Sequence, residues 1–90
     1  MSALTVTHDR DAGRFFAELD GHEVYTKYRH VDEGTVDFVS TFTPPELRGR
    51  GLAREVVDAG LAWARAEGKQ VRASCWYVAK VLEQEGERGA

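Results

Sequence analysis

The chain has 90 residues, of which 42% are hydrophobic and 30% are charged, a composition typical of a folded, water-soluble protein rather than a disordered or fibrous one. Its formal net charge of -3 provides no general attraction to nucleic acid or anionic lipid, and no apolar run reaches the roughly 18 residues that span a bilayer. We therefore expect one small domain over residues 1–90, with no nucleic-acid or membrane partner.

Four short stretches in the first half of the chain alternate apolar with polar residues and are separated by polar, mostly glycine-containing turns. They cover residues 4–8, 13–19, about 24–29 and 35–43. In the fourth stretch the alternation places Val36, Phe38, Ser40 and Phe42 on one face and Asp37, Val39 and Thr41 on the other. Pro44 and Pro45 cannot donate to a sheet ladder, so the fourth strand should end before them. The pattern predicts an antiparallel meander of about four strands.

The second half of the chain predicts a helix, a strand and a second helix. From about Gly49 to Glu67, apolar residues recur at three- and four-residue steps, which is the pattern of a helix that buries one face, and Gly68 is a natural C-cap. Residues 70–74 predict a short strand, and residues 77–85 predict a second helix before a frayed tail over residues 86–90. The order strand, helix, strand favours parallel pairing of the last two strands. The predicted fold class is therefore α+β.

The segment Arg48-Gly49-Arg50-Gly51-Leu52-Ala53 lies between the fourth strand and the first helix and has the composition of an anion-binding turn. Glycines let the backbone approach an anion closely, and the first N–H groups of a helix have no partners within the helix. The helix dipole adds partial positive charge at the same place. The segment indicates a phosphate site, and the competing interpretation is an ordinary helix start with basic side chains facing solvent.

The order of the elements and the spacing Arg-x-x-Gly-x-Ala together resemble the GNAT superfamily of acetyltransferases. The cofactor signature of that superfamily is Gln or Arg, two residues, Gly, one residue, then Gly or Ala, and Arg48, Gly51 and Ala53 fill these three places. The short chain further resembles a minimal, single-domain branch in which a cysteine follows the fifth strand. Cys75-Trp76-Tyr77-Val78-Ala79-Lys80 lies at that position, so the resemblance covers most of the chain.

This resemblance implies that the protein uses acetyl-CoA as a co-substrate and needs no metal ion. It also implies that the backbone from about Arg48 to Ala53 binds the pyrophosphate, and that the end of the fourth strand pairs with the pantetheine arm as an additional strand would. The residues assigned in this way to cofactor binding are Thr41, Phe42, Thr43, Arg48, Gly49, Arg50, Gly51, Leu52 and Ala53.

Cys75 is the candidate catalytic residue. The N-terminus of the following helix favours a thiolate at this position, and the resemblance implies either an acetyl-accepting nucleophile or a group that lines the acetyl pocket. The competing interpretation is a small, buried hydrophobic residue. Two departures concern proton transfer. Ser40 stands where relatives of the branch tend to carry histidine, and Leu82 and Glu83 fall where the wider superfamily often has a tyrosine acid.

Other aromatic and ionisable side chains have more than one interpretation. Trp63 is predicted to lie in the core, whereas Trp76 either walls the acetyl pocket or caps the core. Tyr77 could serve as the acid or simply pack in the first helical turn. The histidines at positions 8, 22 and 30 fall in turns or at strand ends, with no spacing that points to Cys75.

The leading functional hypothesis is an acetyl-CoA-dependent N-acetyltransferase whose amine acceptor, a small molecule or a protein or peptide, is unidentified. The short chain leaves the acceptor side open, and a second copy could close it in a homodimer. The alternatives are a coenzyme A-binding module without turnover and a cofactor-free, partner-binding α+β domain. A single cysteine, which cannot form an internal disulfide, and an N-terminus without the regions of a signal peptide predict a cytoplasmic location.

Overall fold

Five strands form one sheet, and their spatial order is the same as their order in the sequence. The strands are β1 (Thr7–Asp9), β2 (Arg14–Leu19), β3 (His22–Asp32), β4 (Thr35–Phe42) and β5 (Gln70–Ala73). Neighbours from β1 to β4 pair antiparallel, and β5 pairs parallel with β4. The computed structural model, which describes residues 4–89 and side chains through residue 86, thus confirms the predicted meander and the parallel fifth strand.

The first strand lies slightly later in the chain than residues 4–8. The Gly13 N–H donates to the Asp9 carbonyl at 2.9 Å, and this turn places Asp9 opposite Arg14. The ladder between β1 and β2 consequently begins at Asp9 and extends back only to Thr7.

Two helices follow the meander, one on each side of β5 in the sequence. A 3-10 turn (Pro45–Leu47) leads from β4 to α1 (Leu52–Ala66), and α2 (Trp76–Gly89) follows β5. Helix α1 begins at Leu52 rather than near Gly49, because Gly51 has a left-handed backbone with φ of +74°.

Helix α2 is longer than predicted. It continues to Gly89, so the prediction of a frayed tail is wrong for residues 86–89, while Ala90 lies outside the described residues. Its later turns are held against α1, since Arg65 Nη2 donates to Glu85 Oε1 at 2.6 Å and Arg54 Nη1 donates to Gln84 Oε1 at 3.2 Å. Over residues 4–89, no helix is both long enough and apolar enough to cross a bilayer.

The core lies between one face of the sheet and the two helices. Its fully buried side chains include Val24 and Phe38 from the sheet and Leu61 from α1, each of which stabilises the fold by roughly 1.5–3 kcal/mol. Gly60 lets α1 approach the sheet closely, because a Cβ at this position would lie 2.8 Å from Phe38 Cε2. Trp63 packs against this core, as predicted.

Strand β4 contains a one-residue bulge at Val39. Tyr28 of β3 pairs with Phe38, but the neighbouring Lys27 pairs with Ser40, so Val39 is left without a partner in β3. An extra residue of this kind reverses the in-and-out alternation of the strand that contains it.

The bulge decides which side chains reach the core side of β4. Thr26 pairs with Thr41 and lies two residues before Tyr28, so Thr41 shares a face with Phe38. The prediction that Ser40 and Phe42 share that face is therefore wrong. The alternation read from the sequence holds only as far as Phe38.

Candidate active site

Strands β4 and β5 separate beyond Phe38. Their pairing ends at Phe38 and Ala73, whereas β4 continues to Phe42 and stays paired with β3. On the side of β5, the backbone of residues 39–42 therefore has no strand partner among the described residues. An unpaired edge of this kind can take up an extended ligand as an additional strand.

The loop after β4 reaches α1 through left-handed glycines. Gly51 is the N-cap of α1, and no side-chain hydrogen bond caps the helix there. Gly49 has φ of +84°, and a Cβ at either glycine would meet no atom within 4 Å. The first N–H groups of α1 thus lie at an open surface that carries the positive end of the helix dipole. This local geometry suits a phosphate group.

Two adjoining cavities connect the loop with the gap between β4 and β5. One has a volume of about 190 Å³ and lies against the loop, and the other has a volume of about 370 Å³ and extends to Thr41 and Trp76. They share Thr43, Arg48, Ala53 and Tyr77, and we refer to them together as the β4–α1 groove. Every predicted cofactor residue except Arg50 lines it. These residues are Thr41, Phe42, Thr43, Arg48, Gly49, Gly51, Leu52 and Ala53.

The two arginines of the loop lie in different surroundings. Arg48 Nε donates to the Thr43 carbonyl at 3.1 Å, and Arg48 lines both cavities. Arg50 Nη1 lies 3.4 Å from Asp20 Oδ2 in an exposed ion pair. Such pairs contribute about 0–1 kcal/mol to stability. Arg48 is therefore the loop cation that is positioned to meet a ligand in the groove.

Cys75 lies where β4, β5 and α2 meet. Its N–H donates to the Phe38 carbonyl at 3.0 Å, and its carbonyl accepts a hydrogen bond from the Ala79 N–H at 3.0 Å. The residue is buried and its thiol is free. The backbone thus fixes the sulfur at the point where β4 and β5 separate.

The sulfur is the first member of a row of hydrogen-bonding side chains. Cys75 Sγ lies 3.5 Å from Thr41 Oγ1, and Thr41 Oγ1 lies 2.9 Å from Thr26 Oγ1. Thr26 Oγ1 also lies 3.3 Å from the Ser40 carbonyl oxygen. Thr41 lines the groove, whereas Thr26 is fully buried in β3. The sequence gives no signal for this row, because residues 26, 41 and 75 meet only through strand pairing and the bulge.

A buried carboxylate holds the residue before Cys75. Asp37 Oδ1 accepts from the Ser74 N–H at 2.9 Å, Asp37 Oδ2 accepts from the Ser74 hydroxyl at 2.7 Å, and Arg29 Nη2 lies 3.5 Å away. The Ser74 hydroxyl, supported by the Ser74 N–H and the charges of Arg29 and Arg72, keeps the pKa of Asp37 below its usual range although burial acts to raise it. A lone acid within an apolar β-stretch is the sequence signal that could have revealed this residue.

Two aromatic side chains at the start of α2 border the β4–α1 groove. Tyr77 is partly buried and lines both cavities, and Trp76 is 74% exposed and lines the one that reaches Thr41. Burial raises the pKa of Tyr77, although the charge of Arg54 acts against this effect. Trp76 is therefore a wall of the groove rather than a cap on the core, and the raised pKa of Tyr77 keeps its hydroxyl protonated at neutral pH.

The histidines have partners elsewhere, and none contacts Cys75 among the described residues. Their contacts are Tyr28 for His8, Glu46 for His22 and Trp63 for His30. Burial lowers the pKa of His8, with the charge of Arg10 adding to the effect. Within residues 4–89, no group of three or more His, Cys, Asp or Glu side chains could hold a metal ion.

A larger open groove of about 740 Å³ lies between α1 and α2. Its charged side chains are paired with one another: Arg54 Nε lies 3.0 Å from Asp58 Oδ1, and Arg65 Nη2 lies 2.6 Å from Glu85 Oε1. Its lining contains no thiol, hydroxyl or imidazole group. Hydroxyl-bearing residues line the smaller β4–α1 groove instead, namely Thr41, Thr43 and Tyr77.

Comparison with known proteins finds both sequence and fold relatives. The profile of a family described as GCN5-related N-acetyl-transferase matches residues 14–89. Protein NATD1 of Xenopus tropicalis is 32% identical over 85 residues, which cover 92% of this chain and 78% of the relative. Protein NATD1 of Mus musculus is 31% identical over 83 residues, which cover 90% of this chain and 76% of the relative.

A solved structure is similar over nearly the whole chain. The solution structure of a GCN5-like protein from Staphylococcus aureus matches with a TM-score of 0.73 and 26% identity, over 97% of this chain and 85% of the other. The two proteins therefore share the same overall fold.

Proposed function

Because the chain belongs to the GCN5-related N-acetyltransferase family, we propose that it binds acetyl-CoA and transfers the acetyl group to an amine. The observation that supports this proposal most directly is the β4–α1 groove, which joins the uncapped start of α1 to the free edge of β4 and reaches Thr41, whose hydroxyl contacts Cys75. A diphosphate, an extended amide-containing arm and a thioester would occupy these three places in turn.

The cofactor would be held largely by main-chain groups. The N–H groups at the start of α1 would bind the pyrophosphate, and the guanidinium of Arg48 would add a charge-assisted hydrogen bond. The free edge of residues 39–42 would pair with the amides of the pantetheine arm. This arrangement directs the thioester toward Cys75 and Thr41.

The proposed reaction forms a carbon–nitrogen bond and breaks a carbon–sulfur bond. The neutral amine attacks the thioester carbonyl, the tetrahedral intermediate expels the thiolate of coenzyme A, and the amine gives up one proton while the thiolate takes up one. We assign the second proton to Tyr77, since this residue lines both cavities of the groove and burial raises its pKa, so that its hydroxyl stays protonated at neutral pH. The amine proton passes to solvent.

Cys75 offers a second route because its sulfur lies 3.5 Å from the hydroxyl oxygen of Thr41, a residue that lines the groove. In this route the cysteine thiolate attacks the thioester, coenzyme A leaves as the thiolate, and the acetyl group then passes from Cys75 to the amine. Intact-protein mass spectrometry after brief exposure to acetyl-CoA separates the two routes. An acetyl adduct that Cys75→Ala abolishes supports the covalent route, and absence of the adduct with unchanged turnover in that variant supports direct transfer.

Binding is tested with the two loop arginines as a matched pair. We expect Arg48→Ala to weaken acetyl-CoA binding by about tenfold or more in isothermal titration calorimetry, because it removes a charge-assisted hydrogen bond. Arg50→Ala should change the affinity by about twofold or less, because its guanidinium is engaged by Asp20 at the surface. Equal losses in both variants would show that only the overall charge of the loop matters.

Turnover is tested by the release of free thiol from acetyl-CoA over a broad panel of amines and peptides. Release that depends on the amine supports the proposal. Binding without release over the whole panel would make the protein a coenzyme A-binding module. No heat with acetyl-CoA at millimolar concentration would leave a cofactor-free domain in which the glycine loop is purely structural.

A further inference from the structure

The hydroxyl of Thr26 does not line the groove, but it contacts the hydroxyl of Thr41, which lines the groove and contacts Cys75. We propose that Thr26 is a positioning residue, which turns the Thr41 hydroxyl so that it donates a hydrogen bond to the Cys75 sulfur once the thiol has lost its proton. This inference rests on the proposed function, because it concerns the reactive state of the cysteine beside the thioester. It assigns a role in that site to a side chain that has no contact with the groove.

Burial restricts what the Thr26 hydroxyl can do. Thr26 is 0% exposed, so its hydroxyl is shielded from solvent and needs partners within the protein. It has two, Thr41 Oγ1 at 2.9 Å and the Ser40 carbonyl oxygen at 3.3 Å. The carbonyl can only accept, whereas each threonine hydroxyl can donate one hydrogen and accept. Two arrangements keep both threonine hydroxyls hydrogen-bonded within the row.

In the first arrangement every hydrogen points away from the sulfur. The Cys75 thiol donates to Thr41, Thr41 donates to Thr26, and Thr26 donates to the Ser40 carbonyl. This arrangement satisfies the row while the thiol keeps its proton.

In the second arrangement the two hydroxyl hydrogens have turned. The thiol proton has passed to solvent, Thr26 donates to Thr41, and Thr41 donates to the sulfur, which then carries the negative charge. The Ser40 carbonyl no longer accepts from Thr26 in this arrangement. The change requires rotation about two C–O bonds and no movement of any heavy atom. The row therefore offers a hydrogen bond to either protonation state of Cys75 without movement of a heavy atom.

The expected change in the thiolate population of Cys75 follows from the different strengths of the hydrogen bonds that Thr41 makes with a neutral thiol and with a thiolate. A thiol is a weak donor, whereas a hydrogen bond to a charged acceptor is about twice as strong as a neutral one. Removing the Thr41 hydroxyl should therefore penalise the thiolate more than the thiol and lower its population at neutral pH by about tenfold. Removing the Thr26 hydroxyl should have a smaller effect of about threefold, because it acts through a second bond.

The test measures the rate at which iodoacetamide alkylates Cys75 as a function of pH, and it requires no coenzyme. The variants are Thr41→Val and Thr26→Val, which remove a hydroxyl at nearly constant volume, with Thr41→Ser and Thr26→Ser as matched controls that keep it. We expect the pH of half-maximal alkylation to rise by about one unit in Thr41→Val and by about half a unit in Thr26→Val. Both serine variants should follow the parent protein.

Two results would overturn the inference. One is an unchanged pH profile in a folded Thr26→Val protein, and the other is an equal shift in Thr26→Val and Thr26→Ser, which would assign the effect to packing. If Thr26→Val does not fold, Thr26→Ala serves as the second hydroxyl-free variant under the same criteria. The ionisable groups around the row, Arg48 and Tyr77 at the groove and Asp37 beside Ser74, are the same in every variant.

The same variants separate this inference from the proposed function. The Thr26 variants change no residue that lines the groove, so their affinity for acetyl-CoA should equal that of the parent protein. A protein that binds no acetyl-CoA but shows the expected alkylation profiles would refute the acetyltransferase proposal and leave the role of Thr26 intact. Unchanged alkylation profiles in a protein that acetylates amines would refute the role of Thr26 and leave the acetyltransferase proposal intact.

Discussion

Replacing Gly51 by alanine tests whether the left-handed turn at the start of α1 is the conformation that binds the cofactor. Gly51 has φ of +74°, and a Cβ there would meet no atom within 4 Å, so the substitution introduces backbone strain without a clash. Holding alanine in this conformation costs about 1–2 kcal/mol. Gly68 at the other end of α1, with φ of +71° and equally open surroundings, is the matched control.

The backbone strain in Gly51→Ala must lower either the stability of the free protein or its affinity for acetyl-CoA. If the loop keeps its shape, the free protein loses about 1–2 kcal/mol of stability and binds acetyl-CoA normally. If the loop relaxes, stability is retained and binding must restore the strained turn, which weakens affinity by about 5- to 30-fold. The loss of folding free energy and the loss of binding free energy therefore add up to the same total in both cases, because the unfolded chain and the bound protein are the same two end states.

The assay combines chemical denaturation with calorimetric titration of acetyl-CoA on the parent protein, Gly51→Ala and Gly68→Ala. We expect the combined loss to be equal in the two variants, with Gly68→Ala losing only stability. The lower entropy of the unfolded alanine chain affects both variants alike. If Gly51→Ala matches the parent protein in both stability and affinity, the bound state does not contain the left-handed turn, and the argument for pyrophosphate binding at this loop fails.

Three further outcomes are expected. The pKa of Asp37 is lower in the folded protein than in the unfolded chain, so the ionised carboxylate stabilises the fold fully above the unfolded pKa, and this stabilisation is lost as the pH falls below about 4. Thermal denaturation at decreasing pH should therefore show a steeper loss of stability in the parent protein than in Asp37→Asn. Tyr77→Phe should lower the rate of thiol release by about a hundredfold at unchanged acetyl-CoA affinity, and an unchanged rate would remove Tyr77 as the acid. Gly60→Ala should lower the free energy of unfolding by about 1–3 kcal/mol, because the added Cβ would lie 2.8 Å from Phe38 Cε2, and a more stable variant would show that the ring can move away.

The arrangement of elements was predictable from the sequence because its signals are local. Glycine-containing turns separate alternating stretches, two prolines end β4, and the apolar stripe of α1 has helical spacing. The glycine loop was likewise predictable, since its position between a strand and a helix is visible in the chain. The end of α2 was not, because its later turns are held by contacts with α1 rather than by residues of α2 alone.

The interior of the site could not be predicted for a related reason. Thr26 and Cys75 are far apart in the chain, and they become neighbours of Thr41 only through the register of β3 with β4 and the start of α2. Arg48 and Arg50 have equivalent sequence contexts, yet one lines the groove and the other pairs with Asp20. Such differences depend on tertiary contacts that no local pattern encodes.

The bulge at Val39 decides which side chains at the end of β4 face Cys75, because one extra residue moves every later side chain to the opposite face of the strand. If the same residues of β4 paired without the bulge, Ser40 and Phe42 would share the face of Phe38 and Thr41 would turn outward. Sequence alignments that place a gap one position away would thus equate side chains from opposite faces. A design that builds this site into another sheet must reproduce the bulge first, because the bulge determines which residues of the strand face the cysteine.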